Sequence, residues 1–404
     1  MAPTHTLIRQ LSPTESRSAD GGRYVGYSTQ LAGPVDLAAW QEAFAILRSA
    51  YPVLAARIGY TAAGQAVLET DDASPGVVSA PETADTDPLF GFPDLCGRTS
   101  ALSVVRHDVG TSSVTLVTHH AIADGPHSLR LLADLWTYYT GVIEGRPQQP
   151  VPHPYPESLE TLLSERGFVP EAPTWEMPPT REPLRPRTTP PSRTRVRFTA
   201  DETDALHSAG RRLGTTINGL VSAALLQTAA RTHGFDVSDL IHRYAINLRE
   251  RVDPPIGLTE GTSVFGMVHF VADPAVDTSD AGTAALAGAI VDRLADELST
   301  GRIQRAALAE ALGPAMPTAS PMTVISTNLG TVPDLPTPTG VTVTDFRVVV
   351  PPGQSRPPRT TPPPPQTTPL SATIITTFNR QLALDSTVSP DEMTEIVQRI
   401  RQLL

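Results

Sequence analysis

The sequence predicts an α/β (α+β) protein of two lobes, each built from mixed sheets flanked by helices. Three observations carry this. The chain has 404 residues, of which 40% are apolar, which is enough for two hydrophobic cores and long for one. Short β-rich runs and stripes of helical period occur in both halves. Neither half shows the clean strand–helix alternation of a doubly wound parallel sheet.

In the first half, Leu37 to Ala50 is helical in pattern, with Leu37, Trp40, Phe44 and Leu47 on one face. Leu102–His107 and Ser113–Thr118 are β-rich runs joined through Asp108-Val109-Gly110, a hairpin signal. Ser128 to Tyr139 is helical, with a stripe of Leu129, Leu132, Leu135, Trp136 and Tyr139. Pro126 suits its first turn, where a missing N–H costs nothing.

In the second half, Thr199-x-x-Glu202 is a capping box opening a helix with Ala205, Leu206, Ala209 and Leu213. A longer helix runs from Thr215 to Thr232 and closes at Gly234. Strands are expected at Leu240–Leu248, Ser263–Val271, Met322–Thr327, Val341–Val350 and Ser371–Phe378, and helices at Ala281–Leu298 and Ile303–Leu312. Ser389-Pro390-Asp391-Glu392 combines an N-cap, a proline at the first position and an acid at the third, so a final helix runs toward Leu404.

Proline marks the joints. Pro170 to Ser192 cannot hold a helix or a central strand, because proline fixes φ and lacks an N–H. The expected division is therefore an N-terminal lobe over 1–170, a connector over 171–193 and a C-terminal lobe over 194–404. A second Pro-rich tract, 351–369, reads as a surface excursion of the second lobe.

Composition excludes several function classes. The net charge of −11 argues against nucleic acid or an anionic membrane as partner. Every cationic side chain is arginine. The single cysteine, Cys96, allows no internal disulfide and reads as a small apolar filler. The first residues lack a secretory pattern and no apolar run is long enough to span a bilayer, so a cytoplasmic protein is expected, and a monomer.

The chemistry concentrates in His119-His120-Ala121-Ile122-Ala123-Asp124-Gly125. With 10 His and 28 Gly in the chain, a chance match to His-His-x-x-x-Asp-Gly occurs in about one such chain in a thousand. Successive strand residues face opposite sides, so only one histidine can face a given cleft. A neutral imidazole can take a proton from a hydroxyl or amine in the transition state. Asp124 sits where it can cap the next helix, accept turn N–H bonds or pair with a remote arginine, and Gly125 permits close backbone approach or a positive φ. His119, His120, Asp124 and His127 together superficially resemble a metal set, but adjacent strand histidines diverge and no metal is expected. Gly261-Thr262-Ser263-Val264-Phe265-Gly266 misses the spacing of a serine nucleophile elbow.

The motif resembles the signature of the condensation-domain superfamily, which includes chloramphenicol acetyltransferase-like enzymes. Leu37 to Ile58, with its Pro52-Val53-Leu54-x-x-Arg57-Ile58 exit, resembles that superfamily's first helix. Ile246-Asn247-Leu248-Arg249-Glu250-Arg251 resembles a segment of the polyketide-associated acyltransferases, typified by phthiocerol dimycocerosyl transferase. Ser326-Thr327-Asn328-Leu329-Gly330 resembles a strand exit of the second lobe. The tract 351–369 is longer and richer in proline than that pattern.

The resemblance implies two chloramphenicol-acetyltransferase-like lobes with an active-site tunnel between them. It implies that His120 is the general base and Asp124 a mainly structural acid, salt-bridged to an arginine; Arg249 and Arg251 are both candidates. Gly125 and backbone N–H groups after the motif, with Thr327 or Asn328, are candidate oxyanion donors, though Thr327 and Asn328 equally suit a turn. The expected reaction is O-acylation: an acyl group passes from a coenzyme A or acyl-carrier-protein thioester to a hydroxyl of an apolar polyketide or lipid-like acceptor, with no bound cofactor. Amide formation, as in peptide-synthetase condensation, is the runner-up, disfavoured by the missing Gly-x-Asp-Ser attachment site. A non-catalytic scaffold for a carrier protein or lipid is the third reading, and it has no need of the base.

Overall fold

A computed structural model describes residues 5–71, 76–108, 110–146, 148–171, 193–312, 322–352, 354 and 369–404. The expected connector over 171–193 and the tract 351–369 lie almost wholly outside the described residues.

The chain opens with β1 (Leu7–Gln10), α1 (Pro13–Asp20), β2 (Tyr24–Ala32), α2 (Leu37–Ala50), β3 (Ala56–Tyr60), β4 (Ala66–Thr70), β5 (Val77–Ser79), β6 (Ser100–Asp108), β7 (Thr111–His119), α3 (Gly125–Ile143) and α4 (Leu159–Glu165). It continues with β8 (Thr194–Arg197), α5 (Ala200–Arg212), α6 (Ile217–His233), β9 (Ile241–Asn247), β10 (Phe265–Phe270), α7 (Thr283–Ser299), α8 (Arg302–Leu312), β11 (Thr323–Thr331), β12 (Thr342–Val349), β13 (Ser371–Phe378), β14 (Gln381–Ser386) and α9 (Pro390–Arg401). Among the described residues these strands form three open sheets: β12-β2-β7-β6-β5, β1-β4-β3 and β10-β9-β11-β13-β14-β8. The first is antiparallel except for β5 beside β6. The last has a parallel centre, β9-β11-β13, with antiparallel edges. The architecture is the mixed α/β one that the sequence predicts.

The two compact units are not sequential halves. One comprises Met1–Arg166, Val252–Val264 and Pro333–Pro362; the other comprises Gly167–Arg251, Phe265–Val332 and Pro363–Leu404. The split at 170 therefore misplaces two later segments. Strand β12, expected in the second lobe, is the edge of the first unit's sheet and pairs antiparallel with β2, Phe346 opposite Thr29. Hydropathy periodicity identifies a strand and its buried face but carries no information about its partner.

In the first unit, β7 lies mid-sheet and is buried from Ser112 to His119. The turn from β6 ends on Gly110, whose φ of +88° a side chain would strain. Helix α2 is capped by Asp36, which accepts from Ala39 N–H at 3.0 Å. Its apolar face meets α3 through aromatic rings: Trp40 stacks on Tyr139 at 3.7 Å between centroids and meets Trp136 edge-on at 4.9 Å. Such pairs add about 0.5–1.5 kcal/mol each beyond area burial. This packing fixes the helix that follows the histidine motif.

In the second unit, α6 is buried on all sides from Gly219 to Ala230, as expected for a helix without a polar face. Thr216 caps its start, and Gly234, at φ +69°, ends it. Helices α7 and α9 pack on α6, which lies against β11. Helix α9 opens with the predicted capping box of Ser389 and Glu392, with Pro390 in the first turn.

Candidate active site

Strand β7 ends on His119, paired across the ladder with Tyr24. The His119 ring turns into the core, 2% exposed, and meets Tyr24 edge-on at 4.5 Å. Its Nδ1 accepts from Ala121 N–H at 3.0 Å, which fixes that nitrogen as unprotonated and folds the turn back on itself. Burial, with a smaller contribution from His120, pushes the His119 ring down to about 3. His119 is thus a neutral histidine that shapes the turn.

His120 is the first residue past the strand. Its N–H donates to the carbonyl of Arg23 at 2.7 Å, carrying the β2–β7 pairing one step further. Its carbonyl accepts from the Ser263 hydroxyl at 3.3 Å. The residue remains partly exposed where His119 is buried, as strand alternation predicts. Burial holds the His120 ring below its ordinary range; the Asp124 charge and backbone hydrogen bonds oppose that shift without cancelling it. At neutral pH the ring is uncharged and able to accept a proton.

Asp124 is 3% exposed and is the N-cap of α3. Its Oδ1 accepts from His127 N–H at 3.1 Å, and its Oδ2 accepts from Val264 N–H at 2.7 Å. Of the roles open to it in the sequence, capping is the one these bonds describe, and they add a tether to a segment 140 residues later. Gly125 is the first helical residue of α3 and is not among the glycines of positive φ, so helical geometry, not the positive φ that a glycine permits, describes this position. His127, 1% exposed, donates from Nδ1 to the carbonyl of Gly261 at 3.1 Å, since a carbonyl can only accept.

The remaining sequence candidates lie in the other unit. Arg249 is 1% exposed and donates to Asn247 Oδ1 from its own N–H and from Nη1, at 3.2 and 3.3 Å. Arg251 is exposed. Burial therefore favours Arg249 for any role that needs a guanidinium out of water. Thr327 is partly exposed in β11, beside Ile374 of β13. Asn328 is exposed and accepts from Gly330 N–H at 2.8 Å, the local turn bond open to it in the sequence.

Sequence reasoning missed Gly261, Thr262, Ser263 and Val264 as parts of the site. The stretch is a run of turn formers between Glu260 and a strand, and nothing in it names a partner. It also missed Glu15, a fully buried carboxylate joined to Arg9 at 2.6 and 2.8 Å.

The buried histidines carry a pH prediction. His242 in β9 is fully buried, with Nε2 3.0 Å from Ser326 Oγ, and burial pushes it down to about 3. Unfolded histidines titrate near 6.5, so between that value and about 3 the unfolded chain binds protons that the folded rings of His119 and His242 refuse. Stability is full above the unfolded value and is lost as pH falls toward the folded one. Each ring is expected to cost about 2 kcal/mol between roughly pH 7 and 5. Urea unfolding of wild type and His242→Gln at both pH values checks this; equal stability of the wild type at the two would refute it.

Comparison with known proteins agrees with the motif. Residues 187–387 match the family described as phthiocerol/phthiodiolone dimycocerosyl transferase C-terminus. A phthiocerol/phthiodiolone dimycocerosyl transferase of Mycobacterium sp. (strain JLS) is 32% identical over 366 residues, spanning 85% of this chain and 86% of the relative. Polyketide synthase associated protein 5 from Mycobacterium tuberculosis shares the fold, with a TM-score of 0.77 at 23% identity over 100% of this chain and 99% of that one. So does the first condensation domain of the CDA synthetase, with a TM-score of 0.66 at 14% identity over 98% and 96%. Among the described residues no helix is long and apolar enough to cross a membrane. A mixed α/β fold shared with condensation domains, carrying His-His-x-x-x-Asp-Gly at a strand end and sequence likeness over most of its length, places this chain in the phthiocerol/phthiodiolone dimycocerosyl transferase family of acyltransferases.

Proposed function

We propose that the chain moves an acyl group from a thioester, on coenzyme A or an acyl carrier protein, to a hydroxyl of an apolar polyketide or lipid-like acceptor, with His120 as general base. The observation that carries the reading is the mounting of His120. It stands at the end of the buried strand β7, on a turn whose other members are committed to structure, and burial holds its ring below the ordinary range. Asp124 spends both oxygens on backbone N–H groups, which suits a structural acid better than a proton carrier.

The reaction needs no protein nucleophile. The acceptor oxygen attacks the thioester carbonyl while His120 takes its proton, and the tetrahedral intermediate expels the thiolate, which His120 reprotonates. The Gly125 N–H at the start of α3 is the proposed backbone oxyanion donor, because Pro126 has no N–H and the N–H groups of His127 and Ser128 are bonded to Asp124, with Thr327 or Asn328 as further candidates. Relatives named for transfer onto phthiocerol and phthiodiolone, alcohols by name, favour a hydroxyl over an amine. A cytoplasmic monomer without a bound cofactor fits this chemistry.

The test is a pH–rate profile with a long-chain acyl-coenzyme A and a panel of paired alcohol and amine acceptors. Because burial depresses the ring, the base form should persist through neutrality. The acid limb of kcat/KM is expected below the ordinary histidine value of about 6.5, with ester as product. An acid limb at or above that value, or amide as sole product, would overturn the assignment.

A further inference from the structure

Resting on His120 as the base, we propose that Thr262, anchored on the buried carboxylate of Glu15, is a positioning residue that sets the histidine turn from behind. The segment Gly261–Val264 belongs to the same compact unit as the motif although it lies far along the chain. One side of it grips the histidine turn. Gly261 accepts from His127 Nδ1 at 3.1 Å, the Ser263 hydroxyl donates to the His120 carbonyl at 3.3 Å, and Val264 N–H donates to Asp124 at 2.7 Å. Consecutive residues thus hold both ends of the turn.

The other side is fixed by one fully buried hydroxyl. Thr262, 0% exposed, donates from Oγ1 to Glu15 Oε1 at 2.8 Å, and its N–H donates to the carbonyl of Glu157 at 2.9 Å. Glu15 is itself immobilised. Arg9 grips both its oxygens, and Ser12 N–H donates to its Oε2 at 2.8 Å, closing the capping box of α1. Arg9 is tied on to the carbonyl of Pro156 at 3.1 Å. A path therefore runs from Glu15 of α1 by a hydrogen bond to Thr262, along the chain to Ser263, and by a second hydrogen bond to the His120 carbonyl. A carboxylate at 0% side-chain exposure is a costly way to cap a short helix. Its use as the fixed end of this path gives the burial a purpose.

Thr262→Val removes the hydroxyl and keeps the shape, while Arg9 and Ser12 still hold Glu15. The expected result is a kcat lowered about tenfold, since small misplacements of a reacting group cost one to two orders of magnitude. KM should stay within about twofold. The acid limb of the pH profile should move toward the ordinary histidine value as the loosened turn hydrates, and Val264 N–H should exchange faster with deuterium. Thr262→Ser should restore all of these. Wild-type kcat with an unmoved acid limb in Thr262→Val, or failure of Thr262→Ser to rescue, would overturn the proposal. His120→Ala run alongside separates the failures. An inactive His120→Ala beside a fully active Thr262→Val leaves the base in place and removes only the positioning role; an active His120→Ala removes both.

Discussion

His120→Ala is expected to lower kcat/KM by about 10²–10⁴-fold, the usual contribution of a positioned general base, while the protein stays folded. The backbone bonds that shape the turn, from His120 N–H to Arg23 and from Ser263 to the His120 carbonyl, survive truncation of the side chain. The contrast is His119→Ala. That ring is buried against Tyr24 and accepts from Ala121 N–H, so its removal leaves a void and an unpaired donor and should appear as instability. Thiol release and ester formation by each purified variant, beside a thermal melt, separate the two. A His120→Ala enzyme that turns over at the wild-type rate would end the base assignment.

Asp124→Ala is expected to destabilise the fold by about 2–4 kcal/mol. Loss of an N-cap costs about 1 kcal/mol. Stranding the buried Val264 N–H, now bonded to a carboxylate at 2.7 Å, adds about 1–3 kcal/mol. Activity should fall with it, because the tether and the turn are one structure. Asp124→Asn keeps one oxygen for one of the two donors and should lie between. Urea midpoints for the three proteins are the measurement, and an unshifted midpoint for Asp124→Ala would show that the tether contributes nothing.

What the sequence made legible was local. Helix α2 and the stripe of α3 follow from spacing within one segment, and the capping box at Ser389 from four consecutive residues. The histidine motif was legible for the same reason, since its turn is built within seven residues. Helix α1 was overlooked although Ser12-Pro13-Thr14-Glu15 uses the same pattern as Ser389-Pro390-Asp391-Glu392; no apolar stripe followed to draw attention to it. The pairing of β12 with β2, and of Val264 with Asp124, was out of reach. Each depends on which distant backbone lies opposite, and backbone groups are alike at every position. Arg249 and Arg251 look equivalent in Asn247-Leu248-Arg249-Glu250-Arg251, and only burial separates them.

The interleaved path of the chain dictates an order of assembly at the ribosome. The partner that Asp124 grips is made only when Val264 leaves the exit tunnel, and the neighbour of β2 only after Val349. Until then the nascent first unit lacks one edge strand of its sheet and the Val264 donor to Asp124, so residues 1–166 alone cannot complete it. Fragments released before that length are the species on which holding chaperones should be found.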